Sequence, residues 1–263
     1  SSLLSTFLKG SSFAALPLST KDVDIPYFVQ KKIGNHYLLL MAEGGSDYNH
    51  AVTALTAKSL WGPYVPCTIN PVLTHRHLGK DYPVQSLGHA DLVQTPTGDW
   101  YAVFLGKRIV EGGLVPLGRE TFLCEVSFQN GEPIFNPGIG VIGNRLKRPL
   151  LPWTPVSKTD KQNDFESSAL SPEWATMRIP EQPLHHFADG NLFLSLRPEM
   201  ADSLVCPSML LHRVHSHNFS AITTMTFSTC QANEWAGLVL YRTAKGYYSL
   251  LKGKNEIRLT IDK

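Results

Sequence analysis

Apolar positions along this chain come in short runs separated by turn-forming residues, and the spacing within the runs is that of strands. Ile25-Pro26-Tyr27-Phe28-Val29 and Tyr37-Leu38-Leu39-Leu40-Met41 read as a first hairpin around Lys31-Lys32-Ile33-Gly34-Asn35. Ala51 to Thr56 is apolar and β-branched. It is followed by the turn Leu60-Trp61-Gly62-Pro63-Tyr64 and by Asn70-Pro71-Val72-Leu73-Thr74, which leads out. Asp91 to Thr95 and Trp100 to Leu105 flank the turn Pro96-Thr97-Gly98-Asp99, and Glu120 to Phe128 pairs with Pro133-Ile134-Phe135 across Gln129-Asn130-Gly131-Glu132. No segment of useful length carries the helical period, so the expected architecture is all-β, built of repeated hairpins.

Arg148-Pro149-Leu150-Leu151-Pro152-Trp153-Thr154-Pro155, followed by polar Ser157 to Gln162, has the composition of a linker. Beyond it, Leu192 to Leu196, Ala221 to Phe227, Ala236 to Tyr241 and Tyr247 to Leu251 read as strands of a second β unit, a sandwich. The expected organisation is an atypical or disordered segment over 1–22, a first β domain over 23–152 and a second over 153–263.

Composition narrows the function classes. With 43% hydrophobic residues the chain can bury a core, and its formal charge of +2 forms no basic stripe, so nucleic acid is not an expected partner. No run of apolar residues is long enough for a membrane span, and no membrane partner is expected. Ser1 to Thr20 lacks the basic leader, apolar centre and small-residue cleavage site of a signal peptide, which leaves extracellular and cytoplasmic locations both open. Cys67, Cys124, Cys206 and Cys230 make no metal-type pair and are expected as reduced core thiols, with a Cys206–Cys230 bridge as the alternative. No cofactor and no protein-bound metal are expected, since no second ligand sits at metal spacing from the histidine of greatest interest, His89.

Several ordered motifs together resemble family 43 glycoside hydrolases of the β-xylosidase and α-arabinofuranosidase type. In the first half they are Ala42-Glu43-Gly44-Gly45-Ser46-Asp47-Tyr48-Asn49-His50, Trp61-Gly62-Pro63-Tyr64, Asn70-Pro71, Gly88-His89-Ala90-Asp91 and Gly118-Arg119-Glu120-Thr121-Phe122. In the second they are Asp164-Phe165, Leu170-Ser171-Pro172-Glu173-Trp174 and Ala236-Gly237-Leu238-Val239-Leu240-Tyr241. The resemblance implies a partial five-bladed β-propeller followed by a partial concanavalin-like β-sandwich, truncated at both ends. It implies hydrolysis of O-glycosyl bonds in xylo-oligosaccharides or arabinose-substituted saccharides, with inversion.

Inverting hydrolysis needs a protonated carboxyl facing the leaving oxygen and a carboxylate that activates water, about 6.5 to 9.5 Å apart. The resemblance puts the general-acid position at Asp24, an aspartate where the family has glutamate, and finds no counterpart of the base. The other reading of Asp24 is a turn residue. His50, His89 and Arg119 are the expected substrate-binding residues. By the resemblance His89 lies beneath the pocket and Arg119 faces the sugar, where a guanidinium fork can donate to hydroxyls and hold a carboxylate ionised. The competing readings are a satisfied core histidine for His50 and a surface salt bridge to Glu120 or Glu125 for Arg119. Glu43 is a further carboxylate at a strand end, read either as catalytic or as a structural acceptor. Trp61, Trp100 and Trp153 are read as core rings before sugar platforms. Alternatives for the whole chain are a carbohydrate-binding remnant without turnover and an inactive truncated product.

Overall fold

The computed structural model describes residues 28–155, 163–166 and 169–262, and the chain divides into two units, Ser1–Trp153 and Thr154–Lys263. Among the described residues helix is confined to two single-turn 3-10 segments, Arg76–Leu78 and Glu111–Gly113, as the all-β expectation requires. No helix there is long and apolar enough to cross a membrane. Asp24 and the segment 1–22 lie outside the described residues.

The first unit holds two four-stranded antiparallel sheets, each a simple meander. The first runs β1 (Phe28–Ile33), β2 (His36–Glu43), β3 (Ala51–Ala57) and β4 (Val65–Pro66). The second runs β5 (Val84–Gln94), β6 (Trp100–Arg108), β7 (Glu120–Gln129) and β8 (Glu132–Phe135). Four strands in consecutive order are the form of a propeller blade. Lys31, Lys32 and Ile33 belong to β1, so the turn of the first hairpin shrinks to Gly34 and Asn35, because Ile33 pairs directly with His36.

One apolar cluster joins the two blades: Leu38, Leu40, Val52 and Ala54 from the first meet Leu87, Ala90, Leu92, Ala102 and Phe104 from the second. Phe104 stacks on Phe122 at 5.9 Å, and Trp100 packs edge-on against Phe128 at 5.7 Å, which makes Trp100 a core ring. Trp61 and Trp153 are instead exposed, and the Arg148 guanidinium lies over the Trp153 ring at 5.0 Å. Polar contacts add register between the blades. Lys31 pairs with Asp91 at 3.6 Å, and the Glu132 carboxylate accepts from both the backbone and the hydroxyl of Thr68 at 3.0 to 3.1 Å. The Asn70 side chain plays the part of a strand residue for β3: its carbonyl accepts from Ala54 N–H and its amide donates to Ala54 O, both at 2.8 Å.

The second unit is a set of small antiparallel sheets. β9 (Trp174–Thr176) pairs with β12 (Leu210–His212), and β10 (His185–Ala188) pairs with β11 (Asn191–Leu194). β13 (Ala236–Thr243), β14 (Gly246–Lys252) and β15 (Ile257–Asp262) form a three-stranded sheet. Its cross-strand rows Leu238–Leu250–Leu259 and Leu240–Tyr248–Ile261 share one face, and all six side chains are exposed. The expected strand Ala221 to Phe227 is not one. The segment has no ladder partner among the described residues, and Ile222 is 94% exposed. A β-favourable pattern without a neighbour to take its backbone hydrogen bonds remains an unpaired extended run. The cysteine expectation divides as well: all four are free, but only Cys67 and Cys124 are buried, with burial pushing each thiol up to about 12. Cys206 is half-buried and Cys230 exposed, so neither is a core thiol.

Candidate functional site

The site is built at the start of β5. Gln85 pairs with Lys107, Gly88 with Leu105 and Asp91 with Val103, so twice within seven residues β5 carries one residue more than β6 opposite it. These are two bulges, and Ser86 (φ 57°) and His89 (φ 56°) sit there in the left-handed region that L side chains avoid. His89 therefore lies inside a bulged strand that begins at Val84, seven residues before the Asp91 start expected from the sequence. The bulges re-aim its side chain out of the ordinary alternation. Strain of this kind, about 1 to 3 kcal/mol per residue, persists where the surroundings over-determine it.

His50 closes the tight loop after β2 and immediately precedes β3. Its ring is 4% exposed, and its Nδ1 lies 3.0 Å from Ser86 O. A carbonyl only accepts, so Nδ1 carries the hydrogen. The ring fills the space where a side chain on residue 88 would stand: a Cβ on Gly88 would lie 2.3 Å from His50 Nε2. His50 thus packs directly against the bulge.

Three basic side chains act on it electrostatically. Burial pushes the His50 pKa below its ordinary value, and the charges of His89, Arg119 and Lys107 push it further, against the pull of the Ser86 carbonyl. His89 is half-buried, and Arg119 is exposed on the bend just before β7. Lys107, from the end of β6, pairs with Asp47 at 3.0 Å and holds that carboxyl below its usual range. His89 and Arg119 are thus both within electrostatic reach of His50. Glu120 is taken by Arg108, which grips it with Nε at 3.0 to 3.1 Å and NH2 at 2.6 Å. Glu43 accepts from Thr53 at 2.7 Å and from Arg76 at 3.1 Å, the geometry of a structural acceptor. Asp91 accepts from its neighbour's backbone, Leu92 N–H, at 2.7 Å, besides its pairing with Lys31.

A second buried histidine lay beyond the sequence reading. His75 is 1% exposed, with Nδ1 at 2.6 Å from Val84 O and Nε2 accepting from Ile142 N–H at 3.0 Å. Nothing in Val72-Leu73-Thr74-His75-Arg76-His77 sets His75 apart from the polar, basic run it stands in. Lys107 was missed because a lysine at a strand end is commonly just solvated. A cavity of about 330 Å³ lies apart from this group, with Tyr82, Glu125, Asn136 and Arg145 in its wall and none of His50, His89 or Arg119. Among the described residues no cluster of three or more His, Cys, Asp or Glu side chains is placed to hold a metal ion.

Both buried imidazoles make the first unit acid-sensitive. Burial lowers the pKa of His50 and of His75 from the ordinary 6.5, with His77 adding to the shift of His75. As pH falls below about 6.5 the unfolded chain takes up protons that the folded one refuses. The stabilisation is complete above that pH and is lost as pH falls towards the depressed folded values. Urea midpoints measured at pH 7.5 and 5.0 are expected to fall on acidification, and His75→Phe, which removes one of the two groups, is expected to flatten that dependence.

Comparison with known proteins accords with this architecture. Residues 20–133 match the family described as Glycosyl hydrolases family 43, and residues 162–261 match the Beta xylosidase C-terminal Concanavalin A-like domain. A "Xylosidase/arabinosidase" of Butyrivibrio fibrisolvens is 36% identical over 259 residues, covering 96% of this chain and 50% of that protein. A non-reducing end alpha-L-arabinofuranosidase of Bacteroides ovatus is 34% identical, covering 94% of this chain and 46% of that protein. The crystal structure of a xylan beta-1,4-xylosidase from Bacillus halodurans superposes with a TM-score of 0.76 at 27% identity, over 90% of this chain and 47% of that one. The chain spans about half the length of the curated relatives it matches. Its blades are part of a five-bladed β-propeller, its second unit is part of a concanavalin-like sandwich, and the chain belongs to glycosyl hydrolases family 43.

Proposed function

We propose that this polypeptide belongs to an inverting glycosidase that removes xylose or arabinose from xylan-derived oligosaccharides, with His89 and Arg119 forming one wall of the sugar pocket. The observation that carries this reading is the doubly bulged start of β5, which bears His89 and packs against the buried His50, a ring on which the charges of both His89 and Arg119 act. The names of the relatives, xylosidases and arabinofuranosidases, support the pentose. In this reading the Arg119 fork donates to sugar hydroxyls and holds a neighbouring carboxylate ionised. His89 contributes a ring nitrogen beneath the pocket, and His50 supports the backbone that carries it. Asp24 stands in the general-acid position, where its proton goes to the leaving glycosidic oxygen while a carboxylate on the opposite face activates water.

Saccharide binding tests the pocket independently of turnover. D-xylose or L-arabinose titrated into the protein is expected to shift the NMR signals of His89 and Arg119. Arg119→Ala is expected to weaken binding about tenfold or more, the effect of losing charge-assisted hydrogen bonds. Absence of any response to either pentose removes the assignment. Binding without hydrolysis by the polypeptide favours the carbohydrate-binding reading over the catalytic one.

A further inference from the structure

We infer that His75 and His50 together stand in for a neighbouring strand along the free edge of β5, and that His75 is a positioning residue for the bulged segment that presents His89. The inference rests on the reading of His89 and Arg119 as a sugar pocket. β5 is the first strand of its sheet and pairs only with β6. An edge strand carries a row of unpaired backbone groups, and a buried carbonyl without a donor costs about 1 to 3 kcal/mol. Val84, Gln85, Ser86 and Leu87 are all at most 5% exposed, so water cannot serve that edge.

The carbonyls that point away from β6 are those of Val84 and Ser86, two residues apart, and each receives an imidazole Nδ1–H. His75 takes Val84 O at 2.6 Å and His50 takes Ser86 O at 3.0 Å. Each ring supplies a donor of the kind that the N–H groups of a neighbouring strand would supply. His75 is committed at both nitrogens, because the Ile142 N–H donates to Nε2. Only the neutral tautomer with hydrogen on Nδ1 satisfies both partners. The edge of the Tyr82 ring, 4.8 Å between centroids, stands against the imidazole and limits its rotation. Ile142 is fully buried in the segment that follows β8, so one imidazole ties that segment to the first residue of β5. Of the two left-handed residues, Ser86 carries the second anchored carbonyl and His89 follows three residues downstream. The place where His89 emerges is set by where those carbonyls are held.

Two near-isosteric variants divide the role. In His75→Asn the amide nitrogen falls where Nδ1 was and keeps the bond to Val84 O. In His75→Gln the amide oxygen falls where Nε2 was and keeps only the bond from Ile142. In the full 263-residue chain, His75→Gln is expected to move the His89 amide and imidazole signals and to weaken pentose binding about tenfold, the scale of a small misplacement in a site. His75→Asn is expected to leave both near wild type while lowering stability. If both variants lower the melting temperature and leave His89 unmoved, His75 only fills the core and the inference fails. Should wild type bind neither pentose, the pocket reading fails by itself, and the His89 signals still decide the role of His75. In the wild-type protein, long-range 15N spectra are expected to show His75 with hydrogen on Nδ1. The Nε2–H tautomer overturns the inference even where a variant does not fold.

Discussion

Purified 263-residue polypeptide is expected to hydrolyse aryl β-xylosides and aryl α-arabinofuranosides at least about 10²-fold more slowly than a full-length relative, the lower end of what general acid or base help supplies. Two cooperating carboxyl groups are needed, and the carboxylates carried by the family motifs of the first unit are already engaged. Glu43 is held by Thr53 and Arg76, Asp47 by Lys107, Asp91 by Lys31 and a backbone amide, and Glu120 by Arg108. Each of these pairings commits carboxylate oxygens to a protein partner. Asp24, the residue proposed for the acid position, is one methylene shorter than glutamate, and a misplacement of about 1 Å can cost about 10²-fold in rate. The assay sets the polypeptide beside Asp24→Asn and Arg119→Ala on both substrates. Robust turnover by the wild-type sequence that Asp24→Asn abolishes would show a complete acid and base pair among these residues.

Gly88→Ala is expected to destabilise the first unit by about 2 to 5 kcal/mol, a sum of overpacking and a lost buried hydrogen bond. The added carbon would lie 2.3 Å from His50 Nε2 and 2.4 Å from Cδ2 and Cε1, well inside contact distance. The ring cannot swing away without leaving Ser86 O, its hydrogen-bond partner, and at 4% exposure it has no solvent to move into. A loss of that size is a large part of the 5 to 15 kcal/mol that typically separates folded from unfolded protein. Urea unfolding followed by tryptophan fluorescence reads it directly, and an unchanged midpoint would refute the steric account. The double variant Gly88→Ala with His50→Ala is expected to cost less than the sum of its parts, because both changes break the same contact.

The strands that proved easiest to read were those with an undisturbed period. β3, β6 and β7 appear in the sequence nearly as they fold, bounded by Gly-Pro, Thr-Gly-Asp and Asn-Gly turns. β5 was read only from Asp91, because the bulges at Ser86 and His89 break the alternation of Val84-Gln85-Ser86-Leu87-Gly88 and make it resemble a loop. The same irregularity places His89 mid-strand. His89 and Arg119 were found through motif resemblance, since neither hydropathy nor charge distinguishes them. His75 stayed hidden for another reason: its partners, Val84 O and Ile142 N–H, are backbone atoms. Backbone partners leave no trace in residue identity. In the second unit, Ala221 to Phe227 shows that a favourable pattern supplies a strand's side chains and not its neighbour.

The left-handed pair in β5 sets thermal robustness against function in unequal measure at its two positions. Selection for a more heat-resistant protein would press both Ser86 and His89 towards glycine, which adopts φ near +56° without penalty. At 86 that change is compatible with the site, because His50 binds the backbone oxygen and any residue provides one. At 89 the same relaxation deletes the imidazole. A lineage can therefore shed the first strain at little cost and must carry the second for as long as the ring is in use, so the residue found at 89 across variants is expected to report whether the proposed pocket is in use.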